Sequence, residues 1–242
     1  MFQVLIKEIN SFFNSLVGYI VLIVFLVGIG LFTWVFPQTS ILNYGFANLD
    51  PLFTLAPYVF MFLIPAVTMR TFAEEKKGGT MELLLTRPLT DWEIILGKYF
   101  SSLLLVLFAL IPTVIYYFSV HELGSPQGNI DSAGVAGSYI GLICLAGVFT
   151  AIGVFASSIT DNQIVAFIFS VFLCFLLYEG ITSIAAIDVW ASYSYYLAKV
   201  GIDYHYNSVS RGLVDSRNLI YFFSMATGML ALTKLVLGSR KW

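Results

Sequence analysis

Six nearly uncharged apolar stretches, each close to twenty residues long, constrain this chain more than any other feature. A helix needs about 20 residues to cross the roughly 30 Å hydrocarbon core of a bilayer, so each stretch predicts one membrane span. The stretches are Leu16–Phe36, Pro51–Met69, Tyr99–Phe118, Gly137–Ala156, Gln163–Ile181 and Leu219–Leu237. Only 11% of residues are charged, too few to cover the surface of a soluble protein. The sequence therefore predicts an all-α, polytopic integral membrane protein with a single domain over residues 1–242.

The lysines and arginines are distributed unevenly between the two sides of the predicted bundle. Nine of the 12 fall on the side that carries both chain ends: Lys7, Arg70, Lys76, Lys77, Arg87, Lys98, Lys234, Arg240 and Lys241. The other side carries Lys199, Arg211 and Arg217. Because cytoplasmic loops are enriched in basic residues, we expect both termini in the cytoplasm and the protein in the inner membrane. Apart from Lys234, which is expected to extend to the inner interface, charges avoid the span centres, so we expect neither a proton relay nor a buried ion site.

Residues 1–15 have the pattern of an amphipathic helix. Apolar side chains recur at helical spacing on one face: Leu5, Ile9, Phe12, Phe13 and Leu16. We expect a helix lying in the cytoplasmic interface, followed by a bend at or near Gly18. The alternative is that span 1 simply extends into the cytosol.

The cytoplasmic loop at residues 71–90 lies between spans 2 and 3 and contains several helix signals. Gly78 and Gly79 should end the helix that leaves span 2, because glycine is unfavourable in a helix interior. Thr80 is then the expected N-cap of a short helix that Pro88 ends, since the residue before proline avoids helical backbone. Three apolar side chains share one face of this short helix: Met81, Leu84 and Leu85.

A second helix start follows in the same loop. Thr90-Asp91-Trp92-Glu93 matches a capping box, which predicts a helix that continues into span 3. A capped helix between two spans, with an apolar face flanked by charge, suits docking into a groove of a cytosolic protein. An amphipathic linker resting on the membrane surface fits the same residues equally well.

The residues of this loop resemble a known family. The run Phe72-Ala-Glu-Glu-Lys-Lys-Gly-Gly-Thr-Met-Glu-Leu-Leu-Leu-Thr-Arg-Pro-Leu-Thr, followed by Glu93-Ile-Ile-Leu-Gly-Lys98, is similar to the inner-loop signature of ABC-2 type transporter permeases. Six spans, an amphipathic N-terminal helix and a long last outer loop match that family's architecture. More narrowly, Leu83–Leu89, Asn129–Asp131 and Gly153–Phe167 resemble the GldF permeases of gliding motility in Bacteroidetes.

The resemblance implies that the loop is a coupling helix seated on an ATPase subunit. The implied coupling residues are Glu74, Glu75, Lys76, Gly79, Thr80, Glu82, Leu83, Leu84, Arg87 and Pro88. It also implies two kinds of partner, a GldA-like ATPase and a second membrane subunit that is either GldG-like or another copy of this chain. Because the sequence has no G-x-x-x-x-G-K-[ST] motif, ATP and Mg²⁺ are expected on the ATPase, with no cofactor and no enzyme activity on this chain.

Two other segments carry predictions. Thr160-Asp161-Asn162-Gln163 has capping-box spacing and is expected to start span 5. Asp161 and Asn162 are then either part of a capped turn or a second contact with the ATPase. The outer loop at residues 182–218 is too long for a simple hairpin, and the resemblance implies short re-entrant helices there.

Other functional classes are constrained by what the sequence contains. A membrane-embedded enzyme would need paired catalytic groups at membrane depth, and the spans offer none, so no catalytic residue is expected. His121 and His205 have no second ligand at metal-binding spacing, and no metal site is expected. A structural subunit that couples mechanically to a motility or secretion assembly, without moving a substrate, fits the same sequence. Prolines within spans 2 and 3 are either hinges or packing devices.

Overall fold

The structure is a computed structural model and is described for residues 1–43, 45–81, 89–187 and 193–239. Over these ranges the ordered elements are helices, and the predicted all-α class is confirmed. Six helices are long and apolar enough to cross a membrane, by length and composition, in agreement with the six predicted spans.

Twelve α-helices lie wholly within the described ranges. They are α1 (Phe2–Phe13), α2 (Leu16–Gly30), α3 (Asp50–Thr68), α4 (Arg70–Lys77), α5 (Asp91–Leu110), α6 (Val114–Leu123), α7 (Ser132–Ile159), α8 (Gln163–Phe175), α9 (Ile181–Ala185), α10 (Ser194–Ala198), α11 (Ile202–Val209) and α12 (Ser216–Gly238). Wider π-helical turns extend α2 through Leu31–Val35 and join α8 to α9 through Leu176–Gly180. A 3₁₀ turn at Ile111–Thr113, which contains Pro112, joins α5 to α6.

Spans 2, 3 and 4 begin and end further out than the apolar stretches alone predict. Span 2 covers Asp50–Lys77, span 3 Asp91–Leu123 and span 4 Ser132–Ile159. At their ends these helices continue past the apolar residues because polar groups cap them. For example, Asp131 starts α7 by accepting a hydrogen bond from the Gly134 N–H at 2.9 Å.

The N-terminal helix α1 is separate from span 1, so the alternative of a simple extension is wrong. The chain turns at Asn14 and Ser15, slightly before the predicted position, and Ser15 has an extended backbone. Gly18 allows the start of α2 to approach the end of α1 closely, since a Cβ at this position would lie 2.5 Å from the Phe12 carbonyl oxygen. The helix packs mainly against α5.

Helix α7 is the centre of the bundle. It packs against α3, α4, α5, α8, α11 and α12, and 72% of its most apolar segment is buried. Small residues permit this packing, as small residues do at helix contacts in membranes. A Cβ at Gly153, for instance, would lie 2.0 Å from the Thr68 hydroxyl on α3.

The described part of the outer loop forms short helices, as the family resemblance implies. Among them α11 packs on α7, α12 and the turn after α8. The Tyr206 hydroxyl donates to the Phe53 carbonyl at 2.6 Å, and the Ser138 hydroxyl donates to the Ser210 carbonyl at 2.6 Å. These bonds attach the loop to the first turn of α3 and the second turn of α7.

Candidate coupling site

The predicted glycine break after span 2 is confirmed. Helix α4 ends at Lys77, and Gly79 has a positive φ of +66°, which favours glycine. The Thr80 N–H donates to the Glu75 carbonyl at 3.0 Å, and the Gly79 N–H donates to the Lys76 carbonyl at 3.2 Å. This pair of bonds is a Schellman motif, which fixes the direction in which the chain leaves the helix.

Most of the short helix predicted after Thr80 lies outside the described residues. The same holds for the predicted coupling residues Glu82, Leu83, Leu84, Arg87 and Pro88. Met81 is described, is helical and is only 4% exposed, and it belongs to a buried apolar cluster with Phe72 and Ile94. For Met81 neither alternative holds, docking on a partner or resting on the membrane surface, because this side chain packs within the chain itself.

The loop ends in the predicted capping box. The Glu93 N–H donates to the Thr90 hydroxyl at 3.3 Å, and the Thr90 N–H donates to the Glu93 carboxylate at 2.9 Å. Both bonds satisfy backbone donors at the start of α5. The Lys234 side chain of α12 extends toward this same end of the bundle, as the sequence predicts. Its Nζ lies 5.1 Å from the ring centroid of Trp92.

Four charged side chains form a cluster where α1, α4 and α5 meet. The Lys98 side chain is fully buried, and its Nζ lies 2.8 Å from Glu8 Oε1 and 3.0 Å from Glu75 Oε2. Lys7 Nζ lies 2.8 Å from the other oxygen of Glu75. Lys98 also donates to the Thr71 carbonyl. With two positive and two negative members the Lys98 cluster (Lys7, Glu8, Glu75 and Lys98) is neutral, which offsets the cost of removing the charges from water.

The expectation from the sequence concerned charges at the span centres and did not include this cluster of buried ion pairs at the end of the bundle. Each member of the cluster lies just outside an apolar stretch, where a charge ordinarily meets solvent. Lys98 and Glu8 come together only because α1 lies on α5. The one sequence feature that could have indicated this packing is Gly97. A Cβ at this position would lie 3.0 Å from the Val4 Cβ and prevent the contact between α1 and α5.

The two neighbours of Glu75 along the chain connect α4 to other elements. Glu74 is half exposed and accepts from Arg70 Nε at 2.9 Å, while Arg70 Nη1 donates to the Ser15 hydroxyl at 2.9 Å. Lys76 donates to the Ser158 carbonyl at the end of α7. Arg70 therefore joins α4 to the α1–α2 turn, and the predicted coupling residues Glu75 and Lys76 join it to the Lys98 cluster and to α7.

Sequence reasoning missed Ser157, which joins α7 to α4. Its hydroxyl is buried, accepts from the Phe72 and Ala73 N–H groups at 3.0 and 3.1 Å, and donates to the Met69 carbonyl at 2.9 Å. The α-helix is interrupted at Met69, between α3 and α4, and this one side chain bonds the Met69 carbonyl and two N–H groups in the first turn of α4. The only signal was a Ser-Ser pair at the end of an apolar span.

Asp161 and Asn162 lie at the same end of the bundle, since α8 packs on α4 as well as on α7. Both residues are exposed. Span 5 begins at Gln163 as predicted, but the capping box is wrong. Asn162 is the cap, with its side chain accepting from the Ile164 N–H at 2.9 Å, whereas the Thr160 hydroxyl accepts from the Asn162 N–H at 3.1 Å. Asparagine is itself among the strongest N-cap residues, which explains the shift.

The family model described as ABC-2 family transporter protein matches residues 3–233. No curated protein matches the chain. The matched range runs from α1 into the last turns of α12 and includes the whole candidate coupling site.

Proposed function

Because the chain belongs to the ABC-2 transporter family, we propose that it couples ATP hydrolysis on a separate ATPase subunit to movement of its own spans. The observation that carries the proposal is the set of attachments of α4. One short helix, continuous with the loop, is bonded to α1, α5 and α7 through Glu75, Lys76 and Ser157. A displacement of the loop would therefore reach several spans together.

The proposed contact with the ATPase is the loop beyond Gly79. In this proposal Glu82, Leu83, Leu84, Arg87 and Pro88 meet the ATPase. Glu74, Gly79 and Thr80 set the direction of the loop, and Glu75 and Lys76 carry its movement into the bundle. Asp161 and Asn162, exposed at the same end, are a second candidate contact. ATP and Mg²⁺ belong to the ATPase, so this chain has no enzymatic step of its own.

The orientation proposed for the chain places the loop and both termini in the cytoplasm and the protein in the inner membrane. The support is the distribution of lysine and arginine. This arrangement brings the loop to the side of the membrane where ATP is hydrolysed.

A narrower part of the proposal concerns biological role and partners. The segments Leu83–Leu89, Asn129–Asp131 and Gly153–Phe167 resemble GldF permeases, which supports a role in gliding motility with a GldA-like ATPase. A six-span subunit would pair with a second membrane subunit, either a GldG-like chain or another copy of itself.

The loop contact is tested by co-purification. We expect the double variant Glu82→Ala with Leu84→Ala to lose the ATPase, while the control Glu122→Ala, exposed at the opposite end, retains it. Normal recovery of the ATPase with the double variant would overturn the proposed contact. Measuring ATP hydrolysis with and without candidate exported substrates then separates transport from purely mechanical coupling.

The orientation is tested by labelling introduced cysteines. In intact cells a membrane-impermeant maleimide should fail to label Lys77→Cys and should label Phe46→Cys, since both positions are exposed and lie at opposite ends of the bundle. Labelling of Lys77→Cys from outside would invert the topology and refute the coupling proposal.

A further inference from the structure

The three basic residues at the end of the bundle opposite the coupling site line one cavity. Lys199, Arg211 and Arg217 surround an open cavity of about 560 Å³, within the size range of small-molecule binding sites. Its walls come from α9, α11 and the start of α12, with His205 among the lining residues. None of these residues takes part in the proposed coupling.

The position of the cavity along the membrane normal follows from α7. The Ser138 hydroxyl bonds the Ser210 carbonyl, next to Arg211, while Ser157 bonds α4 at the other end of the same helix. At about 1.5 Å per residue these two serines are roughly 28 Å apart, close to the hydrocarbon thickness of about 30 Å. The cavity therefore lies at the level of the headgroups on the far side from the loop.

The cations of the cavity have no carboxylate partners among the described residues. Lys199 Nζ lies 4.2 Å from the Tyr195 ring centroid, and a hydrogen bond with Tyr195 raises the pKa of Lys199. Lys7, Arg70 and Lys98, at the coupling end, each pair with a glutamate instead. The three cations of the cavity therefore lack the direct ion pairs that these three cations at the coupling end make.

The two carboxylates that line the cavity are engaged elsewhere. Asp215 caps α12 by accepting from the Arg217 backbone N–H at 2.9 Å. Asp203 accepts from Asn207 at 2.7 Å and from the Tyr178 hydroxyl. Burial raises the pKa of Asp203, and the nearby Glu179 raises it further, so Asp203 holds a proton more readily than an exposed aspartate.

One wall of the cavity is held in place by a network around His205. Its Nδ1 lies 2.8 Å from Asn218 Oδ1, its Nε2 lies 2.9 Å from the Lys199 carbonyl, and its ring stacks on Tyr221 at 3.8 Å between centroids. The Asn218 amide in turn donates to Ser208 at 3.1 Å. The backbone that carries the cations is therefore fixed before any ligand arrives.

Apolar side chains lie exposed beside this polar cavity. Those on the preceding turn and the first turns of α12 are Leu213, Val214, Ile220 and Phe223. A cationic cavity at headgroup level with apolar surface next to it fits a molecule that has an anionic head and hydrocarbon chains.

We propose that this cavity binds a phosphate group, and that the group belongs to the headgroup of an anionic phospholipid. Arg211 and Arg217 supply planar guanidinium groups, which suit two-point hydrogen bonding to phosphate oxygens, and Lys199 adds a third charge. A soluble phosphate ester shares the same recognition chemistry and is the other possible source of the ligand.

The test uses the full-length protein in nanodiscs of phosphatidylcholine that contain phosphatidylglycerol. Native mass spectrometry of the released complex counts the lipids retained on the wild type, on Arg211→Gln with Arg217→Gln, and on the control Lys77→Gln. We expect the double variant to bind phosphatidylglycerol about tenfold more weakly and the control to match the wild type. Equal retention by all three proteins would overturn the proposal.

A second arm identifies the source of the phosphate. Delipidated protein in detergent is titrated with inorganic phosphate and with glycerol 1-phosphate by calorimetry. If the wild type binds the lipid and neither soluble probe, and the double variant loses the lipid, the ligand is a phospholipid headgroup. If the wild type binds only the soluble probes, and this binding depends on the arginines, the ligand is a soluble phosphate compound. Because both arginines are exposed and bond no described side chain, their replacement should leave folding intact. The charge-retaining variant Arg211→Lys with Arg217→Lys should keep part of the binding. Complete loss of binding in this variant, with its helicity unchanged, would refute the site.

Discussion

Replacing Glu75 with glutamine should destabilise the protein far more than the same change at its neighbour Glu74. The two glutamates are adjacent in α4 and differ in surroundings. The Glu75 side chain is 10% exposed and contacts Lys7 and Lys98, whereas the Glu74 side chain is 51% exposed and contacts Arg70. The pair of variants therefore compares a buried ion pair with an exposed one at constant chemistry.

The expected magnitudes follow from the distances. At an effective dielectric constant of about 20, each contact of Glu75 near 3 Å has a Coulomb energy of roughly 5 kcal/mol before desolvation is subtracted. Breaking a buried pair costs about 3–5 kcal/mol, and we expect about 3 kcal/mol for Glu75→Gln because Lys98 keeps Glu8 as a partner. Glu74→Gln removes an exposed i,i+4 pair worth about 0.3–0.5 kcal/mol.

The assay is equilibrium unfolding in mixed micelles, titrated with SDS and followed by circular dichroism. A double variant provides the internal check. Lys98→Met alone leaves two buried carboxylates competing for Lys7, while Lys98→Met with Glu75→Gln leaves Lys7 beside Glu8, 3.7 Å away. The double variant should therefore be more stable than Lys98→Met alone. Equal losses for the two glutamates, or additive losses in the double variant, would refute the argument.

Three further changes test other parts of the structure. Gly153→Ala should cost about 1–3 kcal/mol in the same titration, since its Cβ would overlap Thr68; an unchanged midpoint would contradict the close α3–α7 contact. Asn162→Ala should lower the free energy of unfolding by about 1 kcal/mol, and Thr160→Ala should lower it by less. Equal losses in the two variants would disprove the assignment of Asn162 as the cap. Asp203 has a raised pKa, so its ionisation destabilises the folded state once the pH exceeds the unfolded value. Asp203→Asn should therefore raise the melting temperature at neutral pH, and the gain should vanish in acid.

Local signals were enough to predict the six spans and the helix ends on either side of the loop between spans 2 and 3. Runs of apolar residues gave six spans, and the glycine pair at 78–79 and the Thr90 capping box marked helix ends that the structure contains. These features depend on residues within one or two turns of each other, so they are recorded in the sequence itself.

The contacts that connect these elements could not be predicted in the same way. Lys98 and Glu8 are far apart in sequence, and their pairing depends on how α1 lies on α5. The role of Ser157 depends on the interruption of the helix at Met69, which no residue pattern marks. Met81 shows a further limit of sequence patterns. An apolar helix face predicts that its side chains are buried, but it does not predict which surface buries them.

The Ser157 hydroxyl has a mechanical consequence. It fastens the first turn of α4 to the most enclosed helix, which itself touches most of the other spans. If the proposed coupling holds, force that reaches α4 is shared among many neighbouring helices at once and does not deform a single lipid-facing helix. Tilting of the bundle as a block is the response that this attachment favours.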